Sequence, residues 1–206
     1  MLAPDERSLP DSLLIIDTAT ERAQIVVLQQ GTQIVHAFEP GWHGARHLFC
    51  VLQRMCIKPQ AVAVTVGPGS YTGIRIGMAA AFGLACGGEL PVVGLCALSS
   101  FVSPEQGRFL SLIDARGGGL YMMLQERRGQ DIIPLTQPQR CDLAELPMHL
   151  HGVRAVVGPH LARVDILHHY EQHADPAQLI QAAKRALQHA LPSYPSPLYT
   201  LPATKT

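Results

Sequence analysis

The chain has 206 residues, is 47% hydrophobic and 16% charged, and balances 16 basic residues against 16 acidic ones. That length supports a sizeable core in one large or two small domains, and the composition excludes a disordered chain. Charge balance, with no basic cluster beyond Arg127-Arg128 and Lys184-Arg185, argues against a protein that grips a nucleic-acid backbone unaided.

In chain order, residues 1–12 read as a flexible leader with two prolines. Leu13-Leu14-Ile15-Ile16, ending at Asp17, is the apolar run of a buried strand. Ala23 to Leu28 and Gln33 to Phe38 follow as strands across tight turns, making an antiparallel meander. From Gly44 to Ile57 the period becomes helical, with Leu48, Val51, Leu52 and Met55 on one side and Lys58-Pro59 as the stop. Ala61 to Val66 is the next strand, Gly67-Pro68-Gly69-Ser70 a turn, and Thr72 to Gly87 a long helix. Pro91 to Leu95 is a fifth strand, with a short helix near Leu98 to Val102.

The order β-β-β-α-β-α-β-α over residues 13–103 fits an actin-like or ribonuclease-H-like α/β layer. Residues 104–206 read as a shorter second half with a Pro-rich tail. Strands are expected at Phe109 to Asp114, Leu120 to Glu126, Gln130 to Leu135 and Ala155 to Val157, and a helical scrap at Asp142 to Leu146. A last helix is expected over Pro176 to Leu191, its inner face formed by Leu179, Ala182, Ala183, Ala186, Leu187 and Ala190.

The five cysteines, Cys50, Cys56, Cys86, Cys96 and Cys141, form no Cys-x-x-Cys pair and read as reduced thiols of a cytoplasmic protein. The polar, acidic start does not read as a signal peptide. The longest apolar stretch, Gly77 to Gly88, falls short of the roughly 20 residues that cross a bilayer, so no membrane association is expected.

The most distinctive stretch is Gly67-Pro-Gly-Ser-Tyr-Thr-Gly-Ile-Arg-Ile-Gly77, between a strand and a helix. Gly67 and Gly69 permit special backbone geometry, and Ser70 or Thr72 can cap the helix. Two readings stand side by side: a structural turn, or an anion site at the helix N-terminus. The spacing is not that of a P-loop, and no lysine follows. Within the helix, Gly73, Gly77, Ala81 and Ala85 recur every four positions. This smooth stripe suits packing on the chain's own sheet, or an interface together with Leu48, Leu52 and Met55 of the preceding helix. Arg75, in the first turn, opposes the helix dipole and calls for an acidic neighbour in the chain or on a partner.

Ile15-Ile16-Asp17-Thr18-Ala19-Thr20, His43, Gly67 to Gly77, and Ile113-Asp114-Ala115-Arg116 with Tyr121 together resemble the bacterial TsaB (YeaZ) family. Pro197-Leu198-Tyr199 is similar to that family's ending. The resemblance implies an actin-like ATPase (ASKHA) fold with two subdomains. It also implies work on N6-threonylcarbamoyladenosine, beside the anticodon of tRNAs reading codons that start with adenine. In that setting the chain serves as a non-catalytic platform for a TsaD-like transferase. A TsaE-like ATPase joins the assembly, tRNA is met only through the complex, and a homodimer forms when the chain is alone. ATP and metal are then expected on partner subunits, with no cofactor, metal or catalytic residue in this chain.

TsaD-like relatives carry His-x-x-x-His just after the fifth strand, one helical turn apart, as a metal pair needs. Here Ala97 and Phe101 stand at those positions. The chain's own such pair, His43 and His47, lies before the glycine motif. His149 and His151, and His168, His169 and His173, read as surface histidines. Asp17 is the carboxylate that in actin-like kinases faces a nucleotide and its magnesium. The glycine such a site wants is replaced by Thr18-Ala19-Thr20, which favours a turn-stabilising acid. Asp114 and Arg116 suit an ion pair or a subdomain contact. The chain departs from the family at Gly119, where an acid is usual, and in its Tyr-Thr-Leu ending. The competing reading is a small hydrolase, peptidase-like or nucleotide-dependent enzyme with Ser70 as nucleophile. Against it, Gly69-Ser70-Tyr71-Thr72-Gly73 lacks Gly-x-Ser-x-Gly spacing.

Overall fold

The computed structural model describes residues 10–38, 44–116, 118–159, 161, 169–189 and 195–198. Its first layer is a five-stranded sheet in the order β3-β2-β1-β4-β5. The strands are β1 (Ser12–Asp17), β2 (Gln24–Gln29), β3 (Thr32–Ala37), β4 (Ala61–Gly67) and β5 (Val92–Cys96). β2 runs antiparallel to β1 and to β3, whereas β4 is parallel to β1 and to β5. The central strands β1 and β4 are buried throughout, which is why both read as unbroken apolar runs instead of alternating ones.

Alternate residues of these strands supply two separate cores. Leu14, Ile16, Ile25, Val27, Val62 and Val64 face the helices α1 (Ala45–Met55) and α2 (Tyr71–Gly88). Leu13, Ile15, Val26, Ala61 and Ala63 face the opposite side and meet Leu179, Ile180 and Ala183 of α3 (Pro176–His189). Helix α3 is opened by Asp175, whose Oδ1 accepts the backbone N–H of Ala177 at 2.7 Å and of Gln178 at 3.2 Å.

That placement corrects the division at residue 103. The last helix lies in the second half of the sequence yet closes the first sheet. The reason is that β1 and β4 present apolar side chains on both faces, and α1 and α2 cover only one of them. Ala190, expected on the inner face of α3, lies outside the described residues.

The second layer is built on a long antiparallel hairpin, β6 (Gly107–Arg116) and β7 (Gly119–Arg128). Along the far edge of β7 lie β8 (Asp131–Pro134) at one end and β9 (Gln139–Asp142) at the other. β10 (Ala155–Gly158) runs parallel to β6, and β11 (His169–Glu171) parallel to β10. Two short strands, β9 and β11, were not legible in the sequence. The segment at 142–146 is a 3-10 helix, Leu143–His149, with Pro147 inside it. His169, read as a surface histidine, is the exposed first residue of β11.

The layers are joined at a second 3-10 turn, Ala97–Ser100, that follows β5. Gln125 of β7, fully buried, donates to Leu98 O at 3.0 Å and to Ser111 Oγ at 2.6 Å. From the other side Asp175 N donates to Ser100 O at 2.8 Å. Leu198 N donates to Val66 O at 2.7 Å, so the described part of the tail runs along the end of β4.

Candidate functional site

The turn after β1 and the N-terminus of α2 form one interlocked unit. Asp17 is buried with no cation facing it among the described residues. Its Oδ1 accepts from Thr65 Oγ1 at 2.8 Å and from Ala19 N at 3.3 Å, and Oδ2 accepts a long bond from Gln24 Nε2 at 3.5 Å. Burial pushes its carboxyl above the ordinary range, against the pull of the bonds from Thr65, Ala19 and Gln24. Gln24 Nε2 also donates to Ala174 O at 2.9 Å, which ties this network to the entry of α3.

The glycines of the motif are explained by what lies against them. Gly69 has φ +150, and a Cβ there would strike the carbonyl oxygen of Ala19. One at Gly73 would strike the carbonyl oxygen of Thr18, and one at Gly77 the Thr18 hydroxyl. At Gly67, with φ +110, it would meet Ile74 Cδ1 at 3.0 Å and Leu198 O at 3.1 Å. The Thr18 hydroxyl donates to Gly73 O at 2.7 Å. Glycine at 69, 73 and 77 is therefore demanded by close approach of the chain's own Thr18-Ala19 turn.

Two backbone donors at this helix end are engaged within the chain. Ser70 N donates to Ala19 O at 2.7 Å, and Gly73 N to the Ser70 side chain at 3.2 Å. Ser70 is the N-cap of α2, while Thr72 is exposed in its first turn. Gly67 and Gly69 pack against Leu198 and Ala19 of the same chain, and Ser70 caps α2.

Among the residues expected at an interface, Leu48, Gly73, Gly77 and Ala81 are buried inside the chain. This is a correction: the small-residue stripe faces the chain's own sheet, with Gly77 against Ile16 and Val64. Leu52 and Met55 are half-buried against the core. Arg75 points outward. Its partner is aromatic instead of acidic: its NH1 donates to Tyr71 Oη at 2.8 Å, and the guanidinium lies 5.1 Å from the Tyr71 ring centre.

The outward side of α2 is a different set: Tyr71, Arg75, Ala79, Gly83 and Cys86, with Phe82 half-buried beside them. A Cβ at Gly83 would meet nothing within 4 Å. Beyond Arg75 the helix carries no charge on any side, the signature of a helix covered all round. Helix α1 packs beside it and exposes Phe49 and Cys50. The sequence held the signal for this face in the uncharged run 76–88, which the small-residue spacing overshadowed.

Other candidate positions are placed as follows. Ala97 and Phe101 are both in the core. His47 is exposed, its ring edge-on to Phe38 at 5.1 Å. His43, His168 and Tyr199 lie outside the described residues. No group of three or more His, Cys, Asp or Glu side chains able to hold a metal occurs among the described residues. Gly119 lies beneath Arg140, whose NH2 is 2.6 Å from where a Cβ would stand. No described helix is long and apolar enough to cross a membrane.

A meander sheet of this order, with a second sheet joined behind its last parallel strand, defines an actin-like (ASKHA) two-subdomain protein. Two solved structures share it: an uncharacterized Pseudomonas aeruginosa protein similar to peptidase YEAZ, and YeaZ from Pseudomonas aeruginosa. The first has a TM-score of 0.76 at 19% identity over 92% of this chain and 99% of that one. The second has a TM-score of 0.71 at 21% identity over 90% and 100%. The family described as "TsaD: tRNA N6-adenosine threonylcarbamoyltransferase" matches residues 51–191. The tRNA threonylcarbamoyladenosine biosynthesis protein TsaB of Escherichia coli is 37% identical over 131 residues, 56% of this chain and 55% of that protein. TsaB of Haemophilus influenzae is 30% identical over 122 residues, 53% of this chain and 52% of that protein. The chain belongs to this family, in its TsaB (YeaZ) branch. The matches span only about half the length of these two curated relatives.

Proposed function

We propose that this chain acts in the biosynthesis of N6-threonylcarbamoyladenosine in tRNA as a non-catalytic platform that holds a TsaD-like transferase. The observation that carries the reading is the outward side of α2, uncharged beyond Arg75 and left uncovered at Ala79, Gly83 and Cys86. An apolar helix face of this kind is a surface for another helix, since small residues let two backbones approach closely.

Three further features support a supporting role. The Asp17 carboxylate is engaged by Thr65, Ala19 and Gln24, Thr18 and Ala19 hydrogen-bond to Gly73 and Ser70 at the start of α2, and Ala97 and Phe101 are core residues. On this reading ATP, metal and tRNA are met on partner subunits, a TsaE-like ATPase among them. The enzyme reading is disfavoured because the Ser70 hydroxyl serves as the cap of α2.

The test is size-exclusion chromatography with light scattering on this protein and the TsaD-like protein of the same organism, alone and mixed. A heterocomplex that is lost in Ala79→Arg, with tRNA modification that needs both proteins, is expected. Two unmixed peaks, or a complex indifferent to Ala79→Arg and Gly83→Arg, would remove the α2 platform. Substrate turnover by the purified chain, lost in Ser70→Ala with the fold intact, would establish the enzyme reading instead.

A further inference from the structure

Arg75 is the one charged side chain of α2. It stands in the first turn, where the unpaired N–H groups of the helix disfavour a cation. A carboxylate three or four positions away would offset that, but those positions hold Tyr71, Thr72, Met78 and Ala79. No acidic side chain meets Arg75 among the described residues. Its contacts are the bond from NH1 to Tyr71 Oη and the Tyr71 ring itself.

Those contacts fix where the guanidinium stands. Tyr71, 57% exposed, lies one turn before Arg75 on the outward row that continues through Ala79 and Gly83. The Tyr71 bond engages NH1. Nε and NH2 donate to nothing among the described residues, which leaves one edge of the planar fork open to two parallel bonds from a carboxylate. At 1.5 Å per residue, Ala79 is only about 6 Å along the axis from Arg75. A helix seated on Ala79 and Gly83 therefore strips water from the guanidinium. A charge buried against neutral groups alone is strongly unfavourable, and the phenol of Tyr71 is neutral. The counter-charge has to arrive with the partner.

We infer that the helix docked on α2 carries an aspartate or glutamate that forms a forked ion pair with Arg75, and that this pair sets the register of docking. The inference rests on the α2 platform and names the chemistry of its partner. Ala79 and Gly83 are too small to define a register by interlocking, so a partner helix could slide along them. One polar pair at the end of an apolar seam removes that freedom. Tyrosine and arginine are also the residue types that dominate interface energetics. A nucleic-acid backbone is gripped by several cations together, whereas α2 offers one, and a single planar guanidinium matches a single carboxylate.

The test is isothermal titration calorimetry of this chain with the TsaD-like protein of the same organism, over a series of sodium chloride concentrations. Arg75→Gln is expected to weaken the complex about tenfold or more and to flatten its salt dependence, and Arg75→Glu to weaken it further. Arg75→Lys keeps the charge without the fork and should fall between wild type and Arg75→Gln. Reversing the matching carboxylate of the partner to lysine should restore binding to Arg75→Glu. Thermal melting reports that the fold persists in each variant, since Arg75 is exposed. A complex that dissolves in Ala79→Arg yet binds Arg75→Glu as tightly as wild type overturns the inference and leaves the platform standing. So does a complex in which Arg75→Glu abolishes tRNA retention without changing subunit affinity, because the anion is then a phosphate. The absence of any complex removes the platform and the ion pair together.

Discussion

One substitution, glycine to alanine, should have opposite effects at positions of the same helix. At Gly83 an added methyl meets nothing within 4 Å. It contributes only the intrinsic preference of a helix for alanine, about 0.5–1 kcal/mol. In a chain of this size that raises Tm by roughly 1–4 °C. At Gly73 the same methyl strikes the Thr18 carbonyl, with Ser70 Cβ a further 3.3 Å contact. Overpacking against backbone costs about 1–3 kcal/mol, and displacing Thr18 threatens its hydroxyl bond to Gly73 O, about 1 kcal/mol more. After the helix preference is subtracted, Gly73→Ala should destabilise by about 1–3 kcal/mol. Gly77→Ala should follow, because its methyl meets the Thr18 hydroxyl with Ile16 and Val64 methyls 3.5 Å behind. Urea unfolding followed by far-UV circular dichroism reads all three on one scale. If the three variants are equally stable, or Gly83→Ala is the worst, the orientation of α2 on its sheet is wrong.

Asp17 holds its proton more tightly folded than unfolded. Its contribution to stability should therefore fall as pH rises from the ordinary carboxylate range through the folded value. Asp17→Asn should remove that slope, and a wild type that gains stability relative to Asp17→Asn between pH 4 and 8 would contradict it. Leu179→Ala should cost about 2–5 kcal/mol, although Leu179 lies far along the chain from the sheet it covers. A calorimetric transition in which the second layer alone loses stability would count against α3 on the first sheet. Alkylation of the native protein should label the exposed Cys50, Cys56 and Cys86 quickly. Cys141 should react only on unfolding, because burial, with Glu145 and Asp142 nearby, pushes its thiol up to about 11. Fast modification of Cys141 in the native state would refute that environment.

The turn and strand chemistry of the first sheet was legible because it is local. Leu13-Leu14-Ile15-Ile16 and Ala61 to Val66 are apolar without alternation, which marks central strands, and Gln30-Gly31 marks a tight turn. The glycine motif was legible as a special backbone, but not its cause. What forbids a side chain at Gly69 and Gly73 is the carbonyl of a residue about fifty positions earlier, and spacing along one helix holds no record of it. For the same reason the stripe of Gly73, Gly77 and Ala81 could be read as an inner or an outer face. Thr65 and Gln24, the partners of Asp17, carry no motif at all; they matter because β1, β2 and β4 lie side by side.

What the sequence determined by itself was therefore the set of elements, the family resemblance, and the absence of ligand-type side chains at Ala97 and Phe101. Tertiary structure alone decided which side of α2 is exposed, that α3 closes the first sheet, and that the β1 turn packs on the start of α2. Local propensity and periodicity are written in neighbouring residues. Which face of an element is covered depends on chain segments that only folding brings together.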